Sequence, residues 1–237
     1  MMKRKSQPGF FEQLATQGYM ARAGQMIDAT FIEVPRQRNG RDENATIKAG
    51  ETPAEWLEDA AKPMLRQKDV EARWTKKNDE KHYGYKNHIN ADQGNKLVQS
   101  YRVTDAAVHD SQVFEALLDQ TPDEDGNKRA IYADSAYRSA EKEAQLAADK
   151  IVSRICEKGA RNHPLTDAQK ASNKEKSKVR ARVEHVFGAQ AQMGGHIVRT
   201  IGLLRAAVKI GMMNLVYNRV RLGQLIKRDG SGASAVV

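Results

Sequence analysis

The order in which strand-like and helix-like segments follow one another constrains the fold of this 237-residue chain more than any single motif. A run rich in β-branched residues, 25–34, ends at Pro35 and predicts a first strand. After a polar stretch over 36–80, segments 82–90 and 96–104 flank turn-forming residues and predict a hairpin. The first half of the chain therefore predicts three antiparallel strands and one long insert.

Helical and strand segments alternate in the second half. The predicted elements are a helix at 112–118, a strand at 130–134, a helix at 139–149, a strand at 151–156, and long helices at 173–192 and 200–226. Antiparallel strands followed by such an alternation form a mixed sheet. The order predicts an α/β fold, compatible with a ribonuclease H-like mixed sheet flanked by helices, with a helical carboxyl end.

The length suits one domain, which we predict to span residues 25–227 with its insert at about 36–80. Residues 1–24, with a short helix over 10–20, are expected to form a helical lead-in. The small residues of 228–237 are expected to form a disordered tail.

Charge and cysteine content narrow the class of protein. The net charge of +9 and the isoelectric point near 9.6 favour a polyanionic partner, nucleic acid before membrane. Cys156 is the one cysteine, which excludes an internal disulfide framework and a cysteine-rich zinc site. No apolar run approaches the roughly 18 residues of a membrane span. We therefore expect a soluble, cytoplasmic protein without a membrane partner.

Two aspartates adjoin apolar strands. Asp28 lies inside the first predicted strand, and Asp134 ends the strand at 130–134. A carboxylate beside a sheet core is costly unless it is paired, hydrogen-bonded or bound to metal. Taken singly, each is more often a turn former at a strand end.

Glu184 is a third candidate, on the long helix at 173–192. It lies beside an apolar stripe with helical spacing: Val179, Val183, Val186 and Phe187. Taken alone, Glu184 is more simply explained as a surface partner of Arg180, four residues earlier.

Taken together, the three carboxylates suggest a site for two metal ions. Such a set can hold two divalent cations about 3.5–4 Å apart for in-line displacement at a phosphodiester. Hard oxygen ligands favour Mg²⁺ or Mn²⁺. Composition and spacing alone do not select these three from the 30 acidic residues.

Blocks in consistent order over about residues 10–222 resemble the DDE transposases of the insertion sequence 5 family, within the insertion sequence 4 group. The blocks are Met26-Ile-Asp-Ala-Thr30 with Pro35-Arg-Gln-Arg38, Ala72-Arg-Trp-Thr75 with His82-Tyr-Gly-Tyr-Lys86, Val103-Thr-Asp-Ala-Ala with His109-Asp-Ser111, Tyr132-Ala-Asp-Ser-Ala-Tyr137, and Arg180-Ala-Arg-Val-Glu-His-Val-Phe-Gly188. The resemblance implies a ribonuclease H-like catalytic domain. It further implies that Asp28, Asp134 and Glu184 form a catalytic triad that binds two Mg²⁺ or Mn²⁺ ions.

The sequence departs from this pattern in two places. The group's signature of Tyr, Arg, Glu and Lys is matched by Arg180 and Glu184, but Ser177 and Ala191 stand at the outer positions. Ala191 lacks the cation expected at a terminal phosphate. The amino-terminal region that relatives use for end recognition is also short here, with fewer than 30 residues before Asp28.

Basic residues crowd the predicted glutamate helix, where Glu175 is the one opposing charge between residues 174 and 182. Such a run is often only a solvated face, but here we predict contacts to DNA phosphates, which position a strand without reading its sequence. The predicted DNA-binding residues are Arg180, Lys178, Arg182 and Lys176, with Lys86 and Arg38 from the earlier blocks.

The resemblance implies a transposase that cleaves and transfers DNA strands of an insertion sequence. Its expected partners are the terminal inverted repeats, target DNA and a second copy in a homodimer, at the bacterial nucleoid. Two alternatives stay open: a truncated, inactive DNA-binding remnant or regulator, and a structure-selective nuclease on the same fold.

Overall fold

A computed structural model describes residue 19 and residues 24–121, 128–160 and 163–233. The strands in these ranges are β1 (Gln25–Glu33), β2 (Arg73–Lys77), β3 (Glu80–Asp92), β4 (Val98–Asp105), β5 (Lys128–Tyr132) and β6 (Ile151–Ser153). The α-helices are α1 (Arg41–Lys48), α2 (Lys62–Leu65), α3 (Phe114–Leu117), α4 (Ala140–Ala148), α5 (Asp167–Arg180), α6 (Glu184–Gln192) and α7 (Leu203–Ala233). The lead-in helix predicted over 10–20 lies outside the described residues, apart from Tyr19.

The strands form one mixed sheet in which β3 has three partners. It pairs antiparallel with β1, from Gln25↔Asp92 to Glu33↔Gly84. Its first half also pairs with β2 and its second half with β4. On the far side of β1, β5 and then β6 continue the sheet in parallel. The mixed sheet flanked by helices confirms the predicted fold class.

Alternation along β1 directs side chains to both faces of the sheet. Met26 packs toward α6 and α7, in a cluster with Ile89, Val186 and Tyr217. Ile27 packs on the other face, in a cluster with residues of α3 and α4. The core is therefore a helix–sheet–helix sandwich, and Asp28 falls on the same face as Met26.

Buried polar side chains of β3 and its neighbours bond one another. Asn87 Nδ2 donates to Asn214 Oδ1 on α7 at 3.0 Å, and Asn90 Nδ2 donates to Gln25 Oε1 at 2.6 Å. His88 Nε2 lies 2.9 Å from Thr104 Oγ1. Pairing of this kind offsets the cost of burying amides and imidazoles.

The insert contains more structure than we predicted. Helix α1 was missed; Glu43 stabilises its start by accepting hydrogen bonds from Gly40 N–H and, at 2.8 Å, from Trp56 Nε1–H. Strand β2 was also missed, and it belongs to the sheet. Asn78 and Asp79 both have positive φ, 49° and 66°, which fits the two-residue turn of a hairpin.

Two helix boundaries also differ from the prediction. The helix predicted at 173–192 begins at Asp167, behind a Thr166 cap, and the 3-10 turn Ala181–Val183 separates α5 from α6. At the carboxyl end, the backbone is helical to Ala233, where we expected a disordered tail from residue 228. Extending an existing helix needs no new nucleus, so small residues can continue it.

Helix α7 lies on the sheet with one face only. Large apolar side chains on its other face are exposed: Leu204, Val208, Met212, Leu215, Val216, Val220 and Ile226. Within the described ranges, no helix is both long and apolar enough to cross a bilayer.

Asp69 joins the insert to the sheet and to the start of α7. Its carboxylate, on a residue 3% exposed, accepts hydrogen bonds from Tyr85 Oη at 2.7 Å and from the N–H groups of Glu71, Ala72 and Gly202 at 3.0 to 3.2 Å. Three separate segments therefore depend on one buried acceptor.

Replacing that acceptor should destabilise the fold. Asp69→Ala leaves a buried phenol and backbone N–H groups without partners, and we expect a loss of about 3 kcal/mol in the free energy of unfolding. Urea unfolding measures it, with Asp167→Ala as control, because Asp167 is 97% exposed. Equal effects of the two substitutions would contradict the assigned role of Asp69.

Candidate active site

An open cleft lies where β1 diverges from β5. The two strands pair only at Gln25 and Met26. Further along, Glu33 bonds the backbone of His196 and Val198. Between these points the edge of β1 borders a cleft of about 340 Å³. Its lining includes Asp28, Asp134, Glu184 and Arg180. The fold thus brings the three predicted acids to one cleft from distant parts of the sequence.

Asp28 is the buried member of the three. It is 8% exposed. Its Oδ1 accepts a hydrogen bond from Ala29 N–H at 2.8 Å, and its Oδ2 accepts one from Arg180 Nη1 at 2.8 Å. Burial raises the pKa of Asp28 from 3.8 to about 6, although the Ala29 N–H and the Arg180 charge favour the ionised form.

Asp134 and Glu184 reach the cleft from other elements. Asp134 follows β5 and caps the 3-10 turn Ser135–Tyr137, accepting hydrogen bonds from the backbone N–H and hydroxyl of Ser135. Glu184 begins α6, directly after the 3-10 turn that follows Arg180. Its side chain is 63% exposed, and its Oε1 lies 3.9 Å from Arg180 Nη1.

Arg180 supplies the positive charge among these acids. Burial disfavours its charged form, but the carboxylates of Asp28, Asp134 and Glu184 outweigh burial and raise the pKa of the guanidinium. Its Nε is buried and has no hydrogen-bond partner in the described part of the chain. Arg180 therefore compensates the cleft's negative charge without satisfying all its own donors.

The acids suit a divalent cation by chemistry rather than by their present spacing. Across residues 24–121, 128–160 and 163–233, no three His, Cys, Asp or Glu side chains are grouped closely enough to hold a metal ion. Asp28 is nevertheless a buried carboxylate paired with Arg180, and the donors are oxygen ligands of the kind that Mg²⁺ and Mn²⁺ prefer. By the chemistry of their donor atoms, the three acids therefore fit such an ion.

The sequence predictions did not place the β2–β3 hairpin at the cleft. Lys77, Asn78 and Glu80 line it from the tip of the β2–β3 hairpin. Beside them, Phe31 stacks on His82 with ring centroids 4.0 Å apart. The Asn78-Asp79 turn, between Arg73–Lys77 and the next strand, was the signal that could have revealed this hairpin.

Two of the predicted DNA-binding lysines face the protein interior. Lys86 Nζ bonds Asp110 Oδ1 at 2.9 Å and Val108 O at 2.7 Å, with its side chain 10% exposed. Lys176 Nζ bonds Ile155 O at 3.1 Å and Glu157 Oε1 at 3.2 Å. The phosphate contacts of Lys86 and Lys176 stay predictions, and in this structure both ammonium groups bond internal partners.

The other predicted contacts are accessible. Lys178 pairs with Glu175 on an exposed part of α5. Arg182 is exposed and donates to Gln93 O at 3.2 Å. Arg38 is exposed and lies before α1.

The raised pKa of Asp28 predicts how stability varies with pH. Because the folded-state pKa, about 6, exceeds the unfolded value of 3.8, the ionised form is disfavoured by folding. The stability contributed by this group is present below about pH 4 and is lost as pH rises through about 6. At about pH 8 and in a chelator, Asp28→Asn should therefore be about 1–3 kcal/mol more stable than the unchanged protein.

Urea unfolding at about pH 4 and about pH 8 measures this difference, which should shrink toward the lower pH. An Asp28→Asn protein that is less stable at about pH 8 would contradict the assigned cost of burying this carboxylate.

The chain is similar to known transposases of insertion sequences. A family model described as "Transposase DDE domain" matches residues 21–219. The "Transposase for insertion sequence element IS1106" of Neisseria meningitidis serogroup B is 32% identical over 167 residues, which are 69% of this chain and 52% of that protein. The chain thus spans about half the length of this relative. No solved structure matches the chain.

The three acids of the cleft all fall within the region that the family model covers. On that match, the chain belongs to the DDE transposase family, among the transposases of insertion sequences.

Proposed function

We propose that this chain cleaves DNA at the ends of an insertion sequence and transfers the freed strand to target DNA. The supporting observation is that Asp28, Asp134 and Glu184 line one cleft. These residues would hold two Mg²⁺ or Mn²⁺ ions. When bound, the ions would activate water or a 3′-hydroxyl and stabilise the leaving oxygen.

The chain's own residues would position the acids and the DNA. Burial fixes Asp28 in β1, and Ser135 orients Asp134. The exposed Glu184 has room to turn inward. Arg180, Lys178, Arg182 and Arg38 would contact DNA phosphates. DNA cleavage and strand transfer would take place in the bacterial cytoplasm, at the nucleoid, where the DNA lies.

A cleavage assay tests the proposal. A labelled duplex carrying the element's own terminal repeats should be nicked at the repeat end in Mg²⁺ or Mn²⁺. Asp28→Asn, Asp134→Ala and Glu184→Gln should each lower nicking by at least about a thousandfold, because each removes a carboxylate from the cleft. Glu175→Gln is the matched control, since Glu175 is an exposed carboxylate on α5 paired with Lys178.

The same assay separates the two alternatives. Salt-dependent binding without any nicking would indicate an inactive remnant or regulator. Equal nicking of junctions or flaps that lack the repeats would indicate a structure-selective nuclease. Retained nicking in any one of the three variants would remove that residue from the triad.

We propose in addition that the active complex is a homodimer formed through the outer face of α7. Contiguous apolar surface of this kind commonly marks an interface. Seven large apolar side chains are exposed along the helix. Between Leu203 and Arg228 the helix carries no Asp or Glu, so two such faces would bring like charges together. Salt should therefore strengthen the dimer by screening that repulsion.

Light scattering after size-exclusion chromatography tests the interface. The double variant Met212→Glu with Leu215→Glu should weaken dimerisation by at least about tenfold, because it places carboxylates in an apolar contact. Leu57→Glu is the control, an exposed apolar residue (58%) outside α7. A protein that stays monomeric at all concentrations and salt levels would exclude this dimer.

A further inference from the structure

We infer that Arg180 is an exchangeable counter-ion: it occupies the acidic cleft in the metal-free protein, leaves Asp28 when a divalent cation enters, and then binds a DNA phosphate. This inference rests on the proposed function, because it concerns the same three carboxylates. It adds that the cation and the DNA bind cooperatively, because both act through Arg180.

The first argument is competition for one oxygen. Arg180 Nη1 lies 2.8 Å from Asp28 Oδ2 and 3.9 Å from Glu184 Oε1. A divalent cation bound to the same carboxylates would face a full positive charge at close range in a partly buried site. Such an arrangement is unfavourable, so entry of the cation would displace the guanidinium.

The second argument is that one N–H donor of the Arg180 guanidinium has no hydrogen-bond acceptor among the described residues. Arg180 Nε is buried and lacks a partner among the described residues. A buried donor without a partner is costly, and a residue with a purely structural role would ordinarily satisfy it. A phosphate accepts two parallel N–H bonds from a guanidinium, so it would satisfy the donors that Asp28 leaves unused.

The third argument is position. The Arg180 side chain is 24% exposed and lines the cleft itself. Its neighbour Lys176 also faces inward, but both of its partners, Ile155 O and Glu157, lie outside the cleft lining. Among the basic residues of α5, Arg180 is therefore the one placed to reach either a cleft carboxylate or a bound DNA strand.

Exchange of this kind makes cation and DNA binding reciprocal. A cation that releases Arg180 increases the number of donors available to phosphate, and DNA that holds Arg180 clears Asp28 for the cation. Without DNA, Mg²⁺ must displace an ion pair in order to bind. The free protein should consequently bind Mg²⁺ weakly.

Calorimetric titration with Mg²⁺ gives the first measurement. Arg180→Gln should bind Mg²⁺ at least about tenfold more tightly than the unchanged protein, because the internal competitor is gone. Arg154→Gln is the matched control; it removes an equal charge from an exposed side chain outside the cleft lining, and its affinity for Mg²⁺ should stay within about twofold of the unchanged protein. Should Arg180→Gln fail to fold, Arg180→Lys keeps the charge and removes the planar fork.

Loss of a charge alone would tighten Mg²⁺ binding, so a direct readout of Arg180 is needed. The ¹⁵N signal of Arg180 Nε–Hε, assigned by its loss in Arg180→Lys, should move with Mg²⁺ at the midpoint of the calorimetric titration. For duplex DNA, Mg²⁺ ordinarily weakens protein binding by competing for phosphates. That weakening should be several-fold smaller for the unchanged protein than for Arg180→Gln.

The outcomes separate this inference from the proposed function. Mg²⁺ that binds in an Asp28-dependent manner but leaves the Arg180 signal unmoved would overturn the exchange and leave the metal site standing. Mg²⁺ that does not bind, or binds equally well to Asp28→Asn, would overturn both.

Discussion

The antiparallel pairing of β1 with β3 is the constraint on which the rest of the structure depends. It spans all nine residues of β1, so every side chain of that strand has a fixed face. The short parallel contact with β5 then leaves the other edge of β1 open beyond Met26. The cleft exists because one edge of β1 is paired throughout and the other is paired only at its ends.

Within that cleft, the cost of burying the Asp28 carboxylate opposes its attraction to Arg180. Asp28 is held in a buried position where its ionised form is disfavoured, and Arg180 compensates that cost in part. Such a pair is a poor source of stability, because desolvation offsets the attraction. In the proposed exchange, a divalent cation takes the place of Arg180 beside Asp28. The same arginine therefore connects the charge balance of the free protein to its proposed contact with DNA.

The strands were largely predictable, because β-branched runs bounded by turn residues indicate strands of the observed length. The β3–β4 hairpin and the strands β1, β5 and β6 lie close to their predicted positions. β2 was missed, because Arg73–Lys77 is mostly polar and becomes a strand only by pairing with β3. The pairing of Lys86 with Asp110 was likewise beyond local patterns, because the two residues are 24 positions apart.

The sequence by itself determined the order of most of the elements, the basic character of the chain and, through its motif blocks, the family and its three candidate acids. Local patterns suffice for these, because apolar periodicity, turn residues and motifs are properties of neighbouring positions. The tertiary structure alone decided which charges meet. It paired Arg180 with Asp28 across 152 positions and turned Lys86 and Lys176 inward. Partners of that kind depend on how distant segments pack, and burial then sets which groups remain available for DNA or metal.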